Sequence, residues 1–414
     1  MSATGTLARA HIAKTGKLIG AGLLFCSLSG CVSTAWIAKQ IVKPQTQPKS
    51  NALWAQFVEP FYSRHIVLHV SSPDAGTVDA AVIEPALYNP EIEVTYNIKS
   101  TTVRAALNFP DLPPPPETDA FKRVAKQAPF QAYADRLKQW LPTVPREQVT
   151  GTILLLPGFG LDKNSLISWA LFFADRGWRV VLIDLRGQGA SKSPYLTWGV
   201  RDTDDLHRLV TLMKHKGILQ DPWLYFGISY GAGVALMAGA GAPRPDGIIA
   251  IAPWGSAERV IPRFGEVVGG WLVPSHNSPK WVLAEKEAGK LAGINLSDAV
   301  PAQSVSNIQA PVLYLGGESD RIATPSEIKA LYQMTSRATL KIMPNLPHVI
   351  VSVDVPGFCQ TIMNWLEQAL HQPPERRCII RETLTKDNVM QVTYIGNPSK
   401  TENSPADTST AIHR

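Results

Sequence analysis

The stretch Trp223-Leu-Tyr-Phe-Gly-Ile-Ser229-Tyr-Gly-Ala-Gly-Val-Ala-Leu-Met-Ala238 decides how this chain folds. Residues 223–227 are apolar and of strand length. Residues 232–238 are small and apolar, and read as a closely packed helix. Between them lies Gly227-Ile-Ser229-Tyr-Gly231, a G-x-S-x-G pentapeptide. Strand, sharp turn and helix together form the setting in which such a serine becomes a nucleophile. The flanking glycines fit a strained bend beside which no side chain has room.

Short apolar runs recur on either side. They are Ile153-Leu-Leu-Leu156, Val180-Val-Leu-Ile183, Leu224-Tyr-Phe226, Ile248-Ile-Ala-Ile251 and Val312-Leu-Tyr-Leu315. None alternates with polar residues, which suits strands buried on both faces of a parallel sheet. Helix-length segments separate most of them, so the pattern predicts an α/β, doubly wound sheet with right-handed crossovers. The stretch 253–308 is too long for one crossover. With Trp254, Trp271 and Trp281 and several glycines, it reads as a cap over the carboxyl edge of the sheet. Upstream, residues 64–70 and 91–97 look like strands and predict an antiparallel start to a sheet. Pro113 to Pro116 is stiff polyproline. Helical spacing predicts a helix over 119–141.

Each part of an acyl-transfer site has a candidate at the end of a predicted strand, and strand C-termini converge on one crevice in an open α/β sheet. Ser229 is the nucleophile candidate. Asp320, in Gly316-Gly-Glu-Ser-Asp320, is the carboxylate candidate, with Glu318 in reserve. His348, in Pro344-Asn-Leu-Pro-His348, falls between the last strand and a helix expected from about residue 352. A carboxylate on imidazole Nδ1 leaves Nε2 free to act as base. His207 and His215 lie on a polar helix face, and His276 in the cap is a weaker reserve. Leu156-Pro-Gly-Phe-Gly160 turns the backbone so that the Phe159 N–H can face the site, and the Tyr230 N–H is the second oxyanion donor candidate. The cap tryptophans either line an apolar acyl pocket or pack the cap onto the sheet.

From Gly151 to Leu370 the chain resembles the α/β-hydrolase superfamily. The resemblance rests on PGFG at 157–160, Asp184-Leu-Arg-Gly-Gln-Gly-Ala-Ser191, GISYG at 227–231, GGESD at 316–320 and His348, in the chain order Ser, Asp, His. It implies an α/β-hydrolase fold with a cap insertion and a serine hydrolase acting on an acyl substrate, with carboxyl-ester cleavage expected first. It implies no cofactor and no metal. In DLRGQGAS, Asp184 and Arg186 are expected to brace the turn beside the site. Pro157 departs from the pattern, since many relatives carry His before the oxyanion glycine. The same parts serve peptidases, amidases and acyltransferases. A hydrolase-fold binding lipoprotein without catalysis is the reading from another class.

Residues 1–30 read as a signal peptide. Arg9, Lys14 and Lys17 precede an apolar stretch from Leu18 to Leu28, too short to span a bilayer. Leu28-Ser-Gly-Cys31 resembles a bacterial lipobox, which implies lipidation of Cys31 and anchoring to a membrane. Val32, in place of an aspartate, implies the periplasmic face of the outer membrane if the source is Gram-negative. Residues 31–60 then form a tether. Residues 61–375 form the hydrolase domain, with an N-terminal extension (61–150) and the cap (253–308). Residues 376–414 are a largely disordered tail with one possible strand at 389–395. Without residues 1–30 the net charge falls from +6 to about +3. No basic block points to nucleic acid, and nothing identifies a protein partner. Cys359 and Cys378 either pair or remain two isolated thiols.

Overall fold

A computed structural model describes residues 32–44, 55, 57–69, 77–97, 103–109, 135–141, 148–371, 378–384 and 389–395. The signal segment, Cys31, the polyproline stretch, most of the 119–141 helix and residues 396–414 lie outside them. Six strands carry the core of the main sheet. They are β5 (Gly151–Leu156), β6 (Trp178–Asp184), β7 (Trp223–Ile228), β8 (Gly247–Ile251), β9 (Val312–Gly317) and β10 (Ala338–Met343). All pair in parallel. Two earlier strands, β1 (Arg64–His69) and β2 (Thr77–Ile83), extend the edge, each pairing antiparallel with its neighbours. The order is β1-β2-β6-β5-β7-β8-β9-β10. Every residue of β5, β7, β8 and β9 is buried, which explains why these strands show no alternation.

Helix α8 (Pro325–Met334) packs on β9 and β10, and two helix pairs flank the rest of the sheet. One is α2 (Ile167–Ala174) with α10 (Val355–Leu370), and the other is α3 (Asp202–His215) with α4 (Tyr230–Gly239). Helix α4 is rich in small residues because it packs hard. A Cβ on Gly233 would lie 2.2 Å from the Trp254 indole, and one on Gly239 would lie 2.3 Å from Ile248. Between β8 and β9 the expected cap is present. It contains α5 (Ala257–Gly269), α6 (Lys280–Ala292) and the short α7 (Pro301–Ser304). Trp254 is buried against Gly233 of α4 and Trp281 is buried within the cap beside Gly265, whereas Trp271 is 91% exposed.

Three expectations need correction. Residues 91–97 form β3, but they do not share a sheet with β1. With β4 (Val103–Asn108), β11 (Ile379–Leu384) and β12 (Val389–Ile395) they make a separate antiparallel sheet, ordered β11-β12-β3-β4. Within the tail, 379–395 therefore contributes two strands rather than one strand in disorder. Ile92, Val94, Val392 and Tyr394 are buried where this sheet packs against α10. The buried Arg176 guanidinium lies between the Phe172 and Tyr394 rings and donates to Tyr394 Oη at 2.7 Å. A Cys359–Cys378 disulfide ties α10 to this layer. The third correction concerns the tether. Residues 34–42 form a docked helix, α1 (Thr34–Val42), capped by the Ser33 side chain, which accepts from the Trp36 N–H at 3.2 Å. Its Ile37, Ala38, Ile41 and Val42 are buried, and it packs along α6.

Glu285 on α6 is a buried carboxyl whose Oε1 has no partner among the described residues. Burial, with Glu258 adding, pushes its pKa up to about 8. The unfolded chain releases that proton near 4.5. Between these values the folded state alone holds the proton, so stability falls as pH rises through the window. Glu285→Gln is expected to raise the melting temperature at pH about 8, with the gain shrinking toward pH about 5. Thermal unfolding over that range checks it, and a pH-independent difference would contradict it.

Candidate active site

Strand β7 delivers Ser229 to the carboxyl edge of the sheet in a backbone conformation few side chains adopt, φ 51° and ψ −110°. Such a residue stores roughly 1–3 kcal/mol of strain and needs its surroundings to hold it. The Ser229 N–H donates to Ile251 O at 2.8 Å, and Ser229 O accepts from the Ala232 and Gly233 N–H groups. Both flanking glycines are required by close backbone approach. A Cβ on Gly227 would fall 2.3 Å from Gly231 O, and one on Gly231 would fall 2.2 Å from Leu156 O.

His348 opens α9 (His348–Val353), one turn earlier than the expected helix. Its Nε2 lies 2.8 Å from Ser229 Oγ, and its Nδ1 lies 2.6 Å from Asp320 Oδ2. An ionised carboxylate only accepts, so Nδ1 carries the proton and Nε2 accepts from the serine hydroxyl. The Asp320 side chain is fully buried at the turn after β9. Its other oxygen, Oδ1, accepts from the Ile322 and Ala323 N–H groups at 2.8 and 2.9 Å. These bonds hold a charge that would otherwise be costly to bury. Glu318, the reserve, is exposed and accepts from the Asn345 N–H instead. His276 pairs with Glu266 on the cap, and His207 Nε2 contacts Ala238 O. Neither joins the site.

The Gly158–Phe159 peptide lies beside Ser229, since a Cβ on Gly158 would stand 3.9 Å from Ser229 Cβ. Among the described residues, no acceptor takes the N–H of Phe159 or of Tyr230. Tyr230 is locked from its other end. Its buried hydroxyl accepts from the Trp198 N–H at 2.9 Å and donates toward Asp202 at 3.3 Å. Burial, then the Asp202 charge, raises its pKa well above the ordinary tyrosine range. The Phe159 ring packs with Trp198, Tyr230 and cap residue Phe264, at centroid distances of 5.4, 6.2 and 5.0 Å.

Asp184 and Arg186 brace the turn after β6, as expected for that segment. Asp184 accepts from the Ala190 N–H, the Lys163 N–H and Lys163 Nζ, and Lys163 also pairs with Asp79 at 2.6 Å. Arg186 Nε donates to Asp205 at 2.5 Å. Lys163 was not singled out in the sequence, because a lone lysine beyond the PGFG turn carries no motif. Helix α1 was missed as a neighbour of the site. Ile41 O accepts from Trp198 Nε1 at 3.1 Å, and Pro44 stands 3.3 Å from where a Gly160 Cβ would be. Among the described residues, no His, Cys, Asp and Glu cluster is placed to hold a metal ion.

Residues 153–357 match the alpha/beta hydrolase family. Uncharacterized protein YqkD of Bacillus subtilis (strain 168) is 27% identical over 189 residues, covering 44% of this chain and 59% of its own length. The chain thus spans about three-fifths of the curated relative it matches. Among solved structures, the Pyrococcus furiosus esterase Pf2001 is similar at 15% identity and TM-score 0.49, over 79% of this chain and 98% of that one. A 2,6-dihydroxy-pseudo-oxynicotine hydrolase is similar at 13% identity and TM-score 0.47, over 75% of this chain and 69% of that one. The fold is the α/β-hydrolase fold, and residues 153–357 are similar to that family.

Gly231→Ala is expected to destabilise the fold by about 3 kcal/mol and to displace Ser229. Gly217→Ala is the control: its φ is +63° but nothing lies within 4 Å, so only about 1 kcal/mol of left-handed backbone cost applies. Denaturant unfolding of both variants tests this, and equal losses would contradict the close-approach argument.

Proposed function

We propose that the chain is a serine hydrolase that cleaves carboxyl esters through an acyl-enzyme. The observation that carries this is the continuous series Ser229 Oγ, His348 Nε2, His348 Nδ1 and Asp320 Oδ2, with links of 2.8 and 2.6 Å. Ser229 Oγ attacks the acyl carbonyl while its proton passes to His348 Nε2. The buried Asp320 carboxylate holds the imidazole and stabilises its positive form. The Phe159 and Tyr230 N–H groups receive the oxygen as it becomes negative. His348 then gives the proton to the leaving alcohol, whose bond to the acyl carbon breaks. A water gives a proton to the same Nε2 as its oxygen bonds to the acyl carbon; the bond from that carbon to Ser229 Oγ then breaks, Oγ takes the proton back from Nε2, and the acid leaves. The aromatic group of Phe159, Phe264 and Trp198 beside the donors favours an apolar acyl chain.

The proposal includes the cell address. Residues 1–30 would direct export, and lipidated Cys31 would anchor the enzyme, on the periplasmic face of the outer membrane in a Gram-negative cell. The docked α1 begins three residues after Cys31, so the catalytic domain would sit close to the lipid surface.

Purified protein is expected to react covalently with a fluorophosphonate probe, and Ser229→Ala to abolish both labelling and p-nitrophenyl ester turnover. A fall of at least about 10⁴-fold is expected. Labelling of Ser229→Ala at the parent rate would remove this nucleophile. Aminoacyl amides run beside esters of varied chain length separate an esterase from a peptidase or amidase. Cys31→Ser is expected to stop incorporation of radiolabelled palmitate in cells, and unchanged incorporation would remove the anchor.

A further inference from the structure

Resting on the serine hydrolase reading, we propose that Gln188 is a positioning residue that aims the Phe159 N–H at the developing oxyanion. Gln188 Nε2 donates to Gly158 O at 2.8 Å in a buried setting. That carbonyl and the Phe159 N–H belong to one peptide unit. The unit is planar and trans, so its C=O and N–H point in opposite directions. Holding the carbonyl from behind therefore fixes the direction of the donor in front. The Leu161 N–H also reaches Gly158 O, at 3.2 Å. Two donors thus set the tilt of a peptide that begins at Gly158 and is followed by Gly160 on the short loop after β5, a place where backbone rotation is otherwise easy. The orientation of the amide is not arbitrary, because a carbonyl only accepts and the Gln188 NH₂ must face it.

Two further observations separate this role from packing. Gln188 Oε1 is buried with no partner among the described residues. An unpaired buried oxygen destabilises the fold, and an apolar side chain of similar shape would avoid that loss. The amide is therefore kept at some expense of stability, for the sake of its donor half. The second observation is how firmly Gln188 itself is held. Its N–H donates to Leu185 O at 3.1 Å. On either side, Gly187 and Gly189 have φ of +68° and +47°. A Cβ on Gly189 would lie 2.2 Å from the Asp184 carboxylate, which is itself bonded to Lys163 in the loop that follows Phe159. The same carboxylate thus joins the turn carrying Gln188 to the loop carrying the donor.

The experiment compares Gln188→Leu and Gln188→Glu with the parent enzyme. Gln188→Leu is expected to lower kcat by about 10- to 100-fold with KM within about twofold, less than the loss of a whole donor. The fluorophosphonate labelling rate should fall in parallel, with a melting temperature equal to or above that of the parent. Gln188→Glu supplies the readout that packing alone would not move. A neutral carboxyl donates its O–H to Gly158 O, whereas an ionised one repels it. The kcat of Gln188→Glu relative to the parent should therefore rise as pH falls from about 8.5 to 5.5, while the Gln188→Leu ratio stays flat. Parent-like labelling by Gln188→Leu would overturn the positioning role and leave the nucleophile intact. So would a flat Gln188→Glu ratio accompanied by a lowered melting temperature. A parent enzyme that takes no label, like Ser229→Ala, would bring down the hydrolase reading and this proposal together.

Discussion

The structure depends on one close approach of backbone to backbone. Where β7 passes into α4, the Gly231 backbone presses against Leu156 O and Pro157 O at the end of β5, and the Gly231 N–H donates to Pro157 O at 3.0 Å. This contact brings the first turn of α4, with the Tyr230 N–H, to the loop that carries the Phe159 N–H. It also forces Ser229 into its left-handed conformation, since the chain must reverse within one residue. The strain is borne by neighbours on three strands. Ile251 O at the end of β8 accepts from the Ser229 N–H, and the buried runs of β5, β7 and β8 give the turn a rigid base. On such a turn the Ser229 hydroxyl faces the crevice, where His348 Nε2 meets it at 2.8 Å.

Around that contact the polar groups are arranged in closed sets. Asp202 is wholly buried and accepts from the Thr197 hydroxyl at 2.6 Å and the Gly199 N–H at 2.9 Å, besides its contact with the Tyr230 hydroxyl. Asp184, Lys163 and Asp79 form a second set beside the loop that carries the Phe159 N–H. Removing Lys163 from the second set would leave the buried Asp184 charge without its cation, a loss that typically costs about 3–5 kcal/mol. These sets fix the loops that carry the two candidate donors, so the site is supported from below rather than by the cap alone.

Much of this was legible in the sequence, and the reasons differ by element. The parallel strands were visible because strands buried on both faces must be apolar throughout, and five such runs stand out. The placement of Ser229, Asp320 and His348 followed from strand ends converging on one edge, which topology dictates whatever the residues between. The second sheet was hidden because its strands come from opposite ends of the chain. Residues 91–97 and 389–395 pair in register from Glu91 with Ile395 to Asn97 with Val389, and neither segment carries a mark of its partner. Helix α1 was hidden for another reason. Its nine residues look like the start of a tether until α6 supplies the face that buries Ile37 and Ile41. Asp320 was favoured over Glu318 although both lie on one short turn, and it is Asp320 Oδ2 that lies 2.6 Å from His348 Nδ1, while Glu318 accepts from the Asn345 N–H.

The two hidden elements bear on the site from different sides. The second sheet layers over α10, and α10 follows directly on α9, whose first residue is His348. Arg176 between Phe172 and Tyr394, and the disulfide from α10 to Cys378, tie that layer to the helices on the sheet. On the other side, α1 reaches Trp198 through Ile41 O, and Trp198 in turn packs on Phe159 and Tyr230. One terminal segment thus steadies the element that carries the imidazole, and the other steadies the residues that carry the candidate oxyanion donors. Neither touches the serine. A site made from the ends of separate strands leaves relative position as its least constrained quantity, and contacts of high sequence separation are the ones able to fix it. The N-terminal helix and the C-terminal strands supply such contacts, which gives these peripheral segments a physical part in the geometry of the centre.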